Sequence, residues 1–85
     1  MTEADIRSAI GAGVILRLRE AREKRGLSMT ALAARAGLAQ ASISFIERGL
    51  RNPTLESLLR IAGVLEVELG RIISEATAEV EAGRH

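Results

Sequence analysis

Cysteine, tryptophan and tyrosine are absent from this chain of 85 residues, which holds one phenylalanine, one proline and one histidine. Without cysteine there is no disulfide and no thiolate metal site, a composition that suits a reducing compartment. The single histidine stands at the C-terminal position and cannot build a metal site or a catalytic dyad by itself. No cluster of carboxylates, His or Cys is arranged for chemistry, so the sequence reads as a non-enzyme with no metal and no cofactor. No apolar run approaches the roughly 18 residues of a membrane span. The opening MTEADIRSAI is acidic where a signal peptide would be basic. The expectation is a soluble, cytoplasmic protein with no membrane partner and no small-molecule ligand.

What the chain does have is aliphatic residues: 11 Leu, 8 Ile, 4 Val and 14 Ala. They supply the core of one domain, a size that folds alone with little stability to spare. The net charge of +1 conceals a segregation. From Arg17 to Arg60 there are nine Lys or Arg against four Glu, a local balance of +5, while the flanks together carry −4. Such a distribution fits a surface facing nucleic acid with solvated ends. For residues 17–25 an ordinary salt-bridged helix face reads equally well.

Glycine and proline punctuate five expected helices, with no strand, repeat or low-complexity segment. Residues 1–10 read as a weakly specified lead-in to a single domain over 11–85. Helix one is expected from about Ala12 to Arg25, with Val14, Leu18 and Ala21 inward and Gly26 ending it. Ser28 caps helix two through its hydroxyl, and helix three covers about Gln40 to Arg48, closed by Gly49. Pro53 disfavours the α conformation at Asn52 and so breaks the chain before helix four. Thr54 caps that helix, whose Leu55, Leu58, Ile61, Ala62 and Leu65 recur at three- and four-residue spacing. Helix five, about 69–81, offers Leu69, Ile72, Ile73, Ala76 and Val80.

The stretch SMTALAARAGLAQASISFIERG, residues 28–49, is the most informative. Leu32 and Ala36 share one helix face, Ala33 is small enough for a close crossing, and Gly37 can take the left-handed conformation that turns the chain. Leu38 fills the corner, and Ile43 and Ile46 give the next helix its buried edge. This is the pattern of a helix-turn-helix. Its neighbours add Leu18, Arg22, Gly26-Leu27-Ser28, Ile46-Glu47-Arg48-Gly49, Arg51-Asn52-Pro53, Leu55, Leu58, Ala62 and Leu65. With these residues the chain resembles the Cro/C1-type helix-turn-helix family, also called XRE, over roughly residues 14–73.

The resemblance implies an all-α, compact five-helix bundle of the lambda-repressor-like type. It implies a sequence-specific double-stranded DNA-binding regulator, associated with the nucleoid, whose helix three enters the major groove. Gln40, Ala41, Ser44 and Phe45 then occupy the base-facing positions. Gln40 can pair with adenine through its amide, and Phe45, standing where a long polar residue is usual, can contact a thymine methyl, pack into a partner surface or reflect a variation of the fold. Ser28, Met29, Ser42, Arg48, Arg51 and Asn52 fall at the phosphate-contacting positions, with the amides at the starts of helices two and three. Met29 replaces a Gln that commonly reaches the backbone, which lowers the expected affinity. Arg22 and Glu47 match an ion pair that ties helix one to the end of helix three; breaking it, if buried, costs on the order of 3–5 kcal/mol. Further departures are Ala39 in place of a Ser or Thr cap, Glu66 in place of a Gly, and Glu68 in place of a polar cap.

Thin readout from Ala41 and Ser44 argues for a homodimer on a palindromic operator, with two half-sites roughly one helical turn apart. Helix five is the expected seam, through Leu69, Ile72, Ile73, Ala76 and Val80, the first two serving the core and Ile73 and Ala76 the partner. Stand-alone family members include phage-type repressors, restriction-modification controllers and antitoxins, and ISFIERGLRNPTLESL resembles controllers. A protein-interaction module that keeps the fold without specific DNA reading is the alternative, favoured by Met29, Ala39, Ala41 and Phe45.

Overall fold

The computed structural model describes residues 1–84 and consists of five helices joined by short turns. They are α1 (Glu3–Lys24), α2 (Met29–Ala36), α3 (Gln40–Glu47), α4 (Leu55–Leu65) and α5 (Leu69–Ala82). Among the described residues there is no strand, as the glycine and proline punctuation implies; His85, the end of the expected domain, lies outside them. The envelope measures 41 × 22 × 19 Å, and α1, at 22 residues, is the longest of the helices.

The start of α1 corrects the sequence reading. Residues 1–10 are not a separate lead-in: the helix begins at Glu3, not near Ala12. The reason is a capping box, in which Thr2 Oγ1 accepts from the Asp5 amide and Asp5 Oδ2 accepts from the Thr2 amide, both at 3.1 Å. Ile10 then packs against the core one turn before Val14. Gly11 and Gly13 look like breaks in the sequence, but Gly13 is a packing device. A Cβ built there would meet the Ala76 Cβ at 3.3 Å, so the glycine lets α5 lie close against α1.

The core is wholly aliphatic and drawn from all five helices. Leu32, Ile43 and Leu65 are the largest fully buried side chains, and no polar or charged residue is buried among the described residues. Val14 and Leu18 face inward from α1 as their spacing predicts, with Ala21 half-buried beside them. Leu55 departs from expectation: it shares the α4 periodicity yet is 64% exposed, because it is the first residue of its helix and no core side chain reaches it. On α5 the expected seam is also redrawn. Leu69 and Ala76 are buried in the chain's own core, Ala76 against Gly13, which leaves Ile73 exposed and Ile72 and Val80 half-exposed.

Candidate nucleic-acid interface

Helices α2 and α3 are held in a fixed turn by local bonds. Ser28 Oγ accepts from the Ala31 amide at 3.0 Å and starts α2. Gly37 ends it at φ 70°, ψ 33°, and the Leu38 amide reaches back to the Ala33 carbonyl at 2.9 Å, a left-handed closure that glycine adopts without strain. Arg60 adds a clamp that sequence reasoning missed: its Nη1 donates to the Ala36 carbonyl at 3.3 Å while Glu56 holds its other nitrogens. The i, i+4 spacing of Glu56 and Arg60 was visible in sequence, but their position over the end of α2 depends on how α4 docks.

Ile43 and Ile46 are 1% and 4% exposed, so they fix which way α3 faces. Gln40, Ala41 and Phe45 are thereby turned outward, with Ser44 half-exposed at their edge. The structure thus brings the four base-facing candidates onto one side of one helix. Ala39 precedes α3 with no side-chain hydrogen bond to the first turn, as its identity predicts. At this helix start the Ser42 amide turns back to the Ala39 carbonyl at 3.0 Å, while the Gln40 and Ala41 amides make no hydrogen bond among the described residues.

Arg22 fixes this helix to the rest of the bundle. Its Nε and Nη2 donate to Glu47 Oε2 and Oε1 at 2.7 and 2.8 Å, and its Nη1 donates to the Leu27 carbonyl at 2.8 Å. Both side chains are 11% exposed. Hydrogen bonding to Glu47 raises the Arg22 pKa above its usual range against the opposing effect of burial, so the guanidinium stays charged. One guanidinium therefore joins α1, the turn before α2 and the end of α3.

The phosphate candidates separate into three kinds. Arg48 and Asn52 are exposed at the end of α3 and in the loop after it. Arg51 and Ser42 are joined: Arg51 Nη1 donates to Ser42 Oγ at 3.1 Å, and the guanidinium carbon sits 5.1 Å from the centre of the Phe45 ring. Met29 is the correction. It is half-buried and packed against the core, and a thioether has no proton to give a phosphate, so its side chain is not placed for the phosphate contact expected at that position.

Electrostatics sharpen the assignment further. Arg7, Arg17, Arg19, Arg22, Arg25, Arg60, Arg71 and Arg84 each have a carboxylate partner within 4.0 Å. The alternating charges of residues 17–25 are thus largely a salt-bridged surface. Among the described residues Lys24, Arg35, Arg48 and Arg51 pair with no carboxylate, and the three arginines lie on α2, at the end of α3 and in the next loop. Arg35 was not among the sequence candidates. Its signal was present, since no acidic residue stands within four positions of it. Among the described residues no group of three or more His, Cys, Asp or Glu is placed to hold a metal, and no helix is long and apolar enough to cross a membrane.

Comparison with known proteins places these features in a family. The family model described as helix-turn-helix matches residues 18–72. The chain belongs to the helix-turn-helix family of DNA-binding transcriptional regulators, of the Cro/C1 type that its motifs resemble. It is 44% identical over 68 residues to the uncharacterized HTH-type transcriptional regulator y4dJ of Sinorhizobium fredii, an alignment covering 76% of this chain and 83% of that protein. It is 35% identical over 60 residues to the HTH-type transcriptional regulator SinR of Bacillus subtilis, covering 69% of this chain and 54% of SinR. It is 34% identical over 61 residues to the immunity repressor protein of Bacillus phage phi105, covering 72% of this chain and 42% of the repressor. The chain therefore spans about half the length of the last two relatives. No solved structure matches it significantly.

Proposed function

We propose that this chain binds double-stranded DNA in a sequence-specific way and regulates transcription, with α3 in the major groove. The observation that carries this reading is the coincidence of two sets of residues. The outward side of α3, fixed by Ile43, Ile46 and the Arg22 pair, is the side where the unpaired Arg51 lies over Phe45 and bonds Ser42, and the unpaired Arg48 caps the end of the same helix. Base-edge groups with cations beside them are what groove reading and phosphate anchoring require. Gln40, Ala41, Ser44 and Phe45 face the bases, while Ser28, Ser42, Arg48, Arg51, Asn52 and the backbone at Met29 face the phosphates. The location this implies is the cytoplasm, on the nucleoid.

A homodimer on a palindromic operator belongs to the same reading. Exposed Ile73 on α5 and Leu16 on α1 line one groove of ≈ 870 Å³, whose floor includes Ile10, Ile15 and Leu58. A second copy packed on Ile73 and Leu16, leaving Arg48, Arg51 and Asn52 of the same groove to the duplex, would make Ile73 the partner-facing residue of α5 and set two α3 helices for successive turns of the duplex. In vitro selection from a random duplex pool tests all of this together: an enriched palindrome supports the proposal, and its half-site spacing reads out the dimer. Sedimentation as a monomer at tens of micromolar removes the dimer.

A second reading, a protein-interaction module, is favoured by one observation. Leu50, Leu55 and Leu59, in the loop after α3 and on α4, are more than half exposed. Failure to bind any duplex at low salt supports it over DNA binding, whereas affinity that falls steeply with salt supports DNA binding.

A further inference from the structure

We infer that Phe45 reads the C5-methyl group of a pyrimidine, held ready for it by Arg51; this deepens the DNA-binding reading and rests on it. Phe45 is the chain's one aromatic residue and is 36% exposed on the outer side of α3, outside an otherwise aliphatic core. It is exposed but not loose. Arg51 lies over the ring at 5.1 Å and is itself fastened to Ser42 Oγ at 3.1 Å. The guanidinium covers one face of the ring and leaves its edge and remaining surface facing outward. Helical side chains lean toward the N-terminus of their helix, so the ring lies over the turn that holds Ala41. Ala41 contributes only a methyl and does not cover it. Ala41 and Phe45, four residues apart, share the outward side of α3 with the polar Gln40 and Ser44 beside them.

The major groove offers such a surface one apolar partner. Thymine presents a C5-methyl there, and cytosine presents the same group only when it is methylated. Against an adenine or guanine edge a phenyl ring would displace water from hydrogen-bonding atoms and give nothing back. A pyrimidine methyl loses no hydrogen bond and leaves water, and a ring already fixed by Arg51 loses little rotamer freedom on contact. The same arrangement places a cation without a carboxylate partner beside the reading helix, where the phosphate strand passes.

The test uses the full chain and the duplex that selection enriches. Each thymine is replaced in turn by deoxyuridine, which removes the methyl and nothing else, and each cytosine in turn by 5-methylcytosine. The expected result is at least one position where the methyl strengthens binding by about fourfold, the effect of burying one such group. At that position Phe45→Ala, which alters a residue outside the core, binds both duplexes equally. A responding thymine identifies thymine as the source of the methyl, and a responding cytosine identifies 5-methylcytosine; either supports the inference. It is overturned if no position responds to the methyl, or if Phe45→Ala responds as strongly as the native chain. A pool that enriches no duplex overturns DNA binding itself, which is a different result from an enriched duplex indifferent to its methyls.

Discussion

Arg22 and Glu47, 25 residues apart in sequence, meet in a two-bond ion pair at 2.7 and 2.8 Å that joins the first helix to the end of the third. At 11% exposure the pair is close to buried, so its loss falls between the surface and interior regimes. Glu47→Ala strands the guanidinium with the Leu27 carbonyl as its remaining partner and is expected to cost about 2–3 kcal/mol. For a domain of this size that is a fall of roughly 10–20 °C in Tm. Calorimetry on Glu47→Ala and on the double variant Arg22→Met/Glu47→Leu checks it. The double variant should recover much of the loss, because no unpaired charge remains; an unchanged Tm in the single variant contradicts the role given to the pair.

The helix order, the inward positions of α2 and α3 and the turn at Gly37 were legible because each rests on local chemistry: spacing, a hydroxyl cap or a left-handed glycine. What was not legible depended on contacts distant in sequence. Gly13 reads as a helix breaker until Ala76 is set against it, and Ala76 reads as a partner-facing residue until Gly13 is found beneath it. The capping box at Thr2 and Asp5 was written locally, but its acid is an Asp where Glu or Gln is usual. At the candidate site, which residues face outward on α3 followed from Ile43 and Ile46. That Arg51 stacks on Phe45 while Met29 turns to the core required the tertiary arrangement.

Two positions leave stability ungained. Glu66 ends α4 in the left-handed region at φ 56°, the one non-glycine residue with positive φ among those described, and its exposed pair with Arg25 at 3.3 Å offsets little. Glu66→Gly removes the Cβ clash at some cost in chain entropy, for a net gain of about 0.5–1 kcal/mol. Ala39→Ser supplies the missing acceptor to the first turn of α3, worth about 1 kcal/mol. The two sites lie at the ends of different helices and are joined by no hydrogen bond, so the gains should add. Thermal melts of the two single variants and the double variant check this. A Tm in Glu66→Gly below that of the native chain would show that the Arg25 pair outweighs the strain.

Asp5 makes the start of α1 sensitive to acid. Its pKa is lowered below the usual aspartate range, first by the hydrogen bond from the Thr2 amide and then by the Thr2 side chain. A carboxylate with a depressed folded-state pKa stabilises above its unfolded value of about 3.9, and the contribution is lost as pH falls through the folded value. The first turns of α1 should therefore fray below about pH 4 while the core of the bundle persists. Amide chemical shifts of residues 2–8 followed from pH 6 downward read this directly. In Asp5→Asn the fraying should no longer follow that titration, and identical pH profiles for the two chains would refute the capping role.

The division between paired and unpaired arginines makes the electrostatics of binding testable. Arg48 and Arg51 have no carboxylate partner and flank α3, whereas Arg19 and Arg25 face Glu23 and Glu66. Each phosphate contact contributes about 0.9 to the slope of log affinity against log salt. Arg48→Gln should lower that slope by about 0.9 per bound chain and weaken binding to all duplexes alike. Arg19→Gln should leave it unchanged, since the charge it removes is already compensated. Arg51→Gln should do both things at once, flattening the salt dependence and loosening Phe45, so that it alone also reduces the preference between selected and scrambled duplexes. Fluorescence titrations of the three variants over roughly 50–200 mM salt separate these outcomes. If Arg19→Gln and Arg48→Gln flatten the slope equally, the contact surface extends along α1 and is not confined to the helix-turn-helix and the loop behind it.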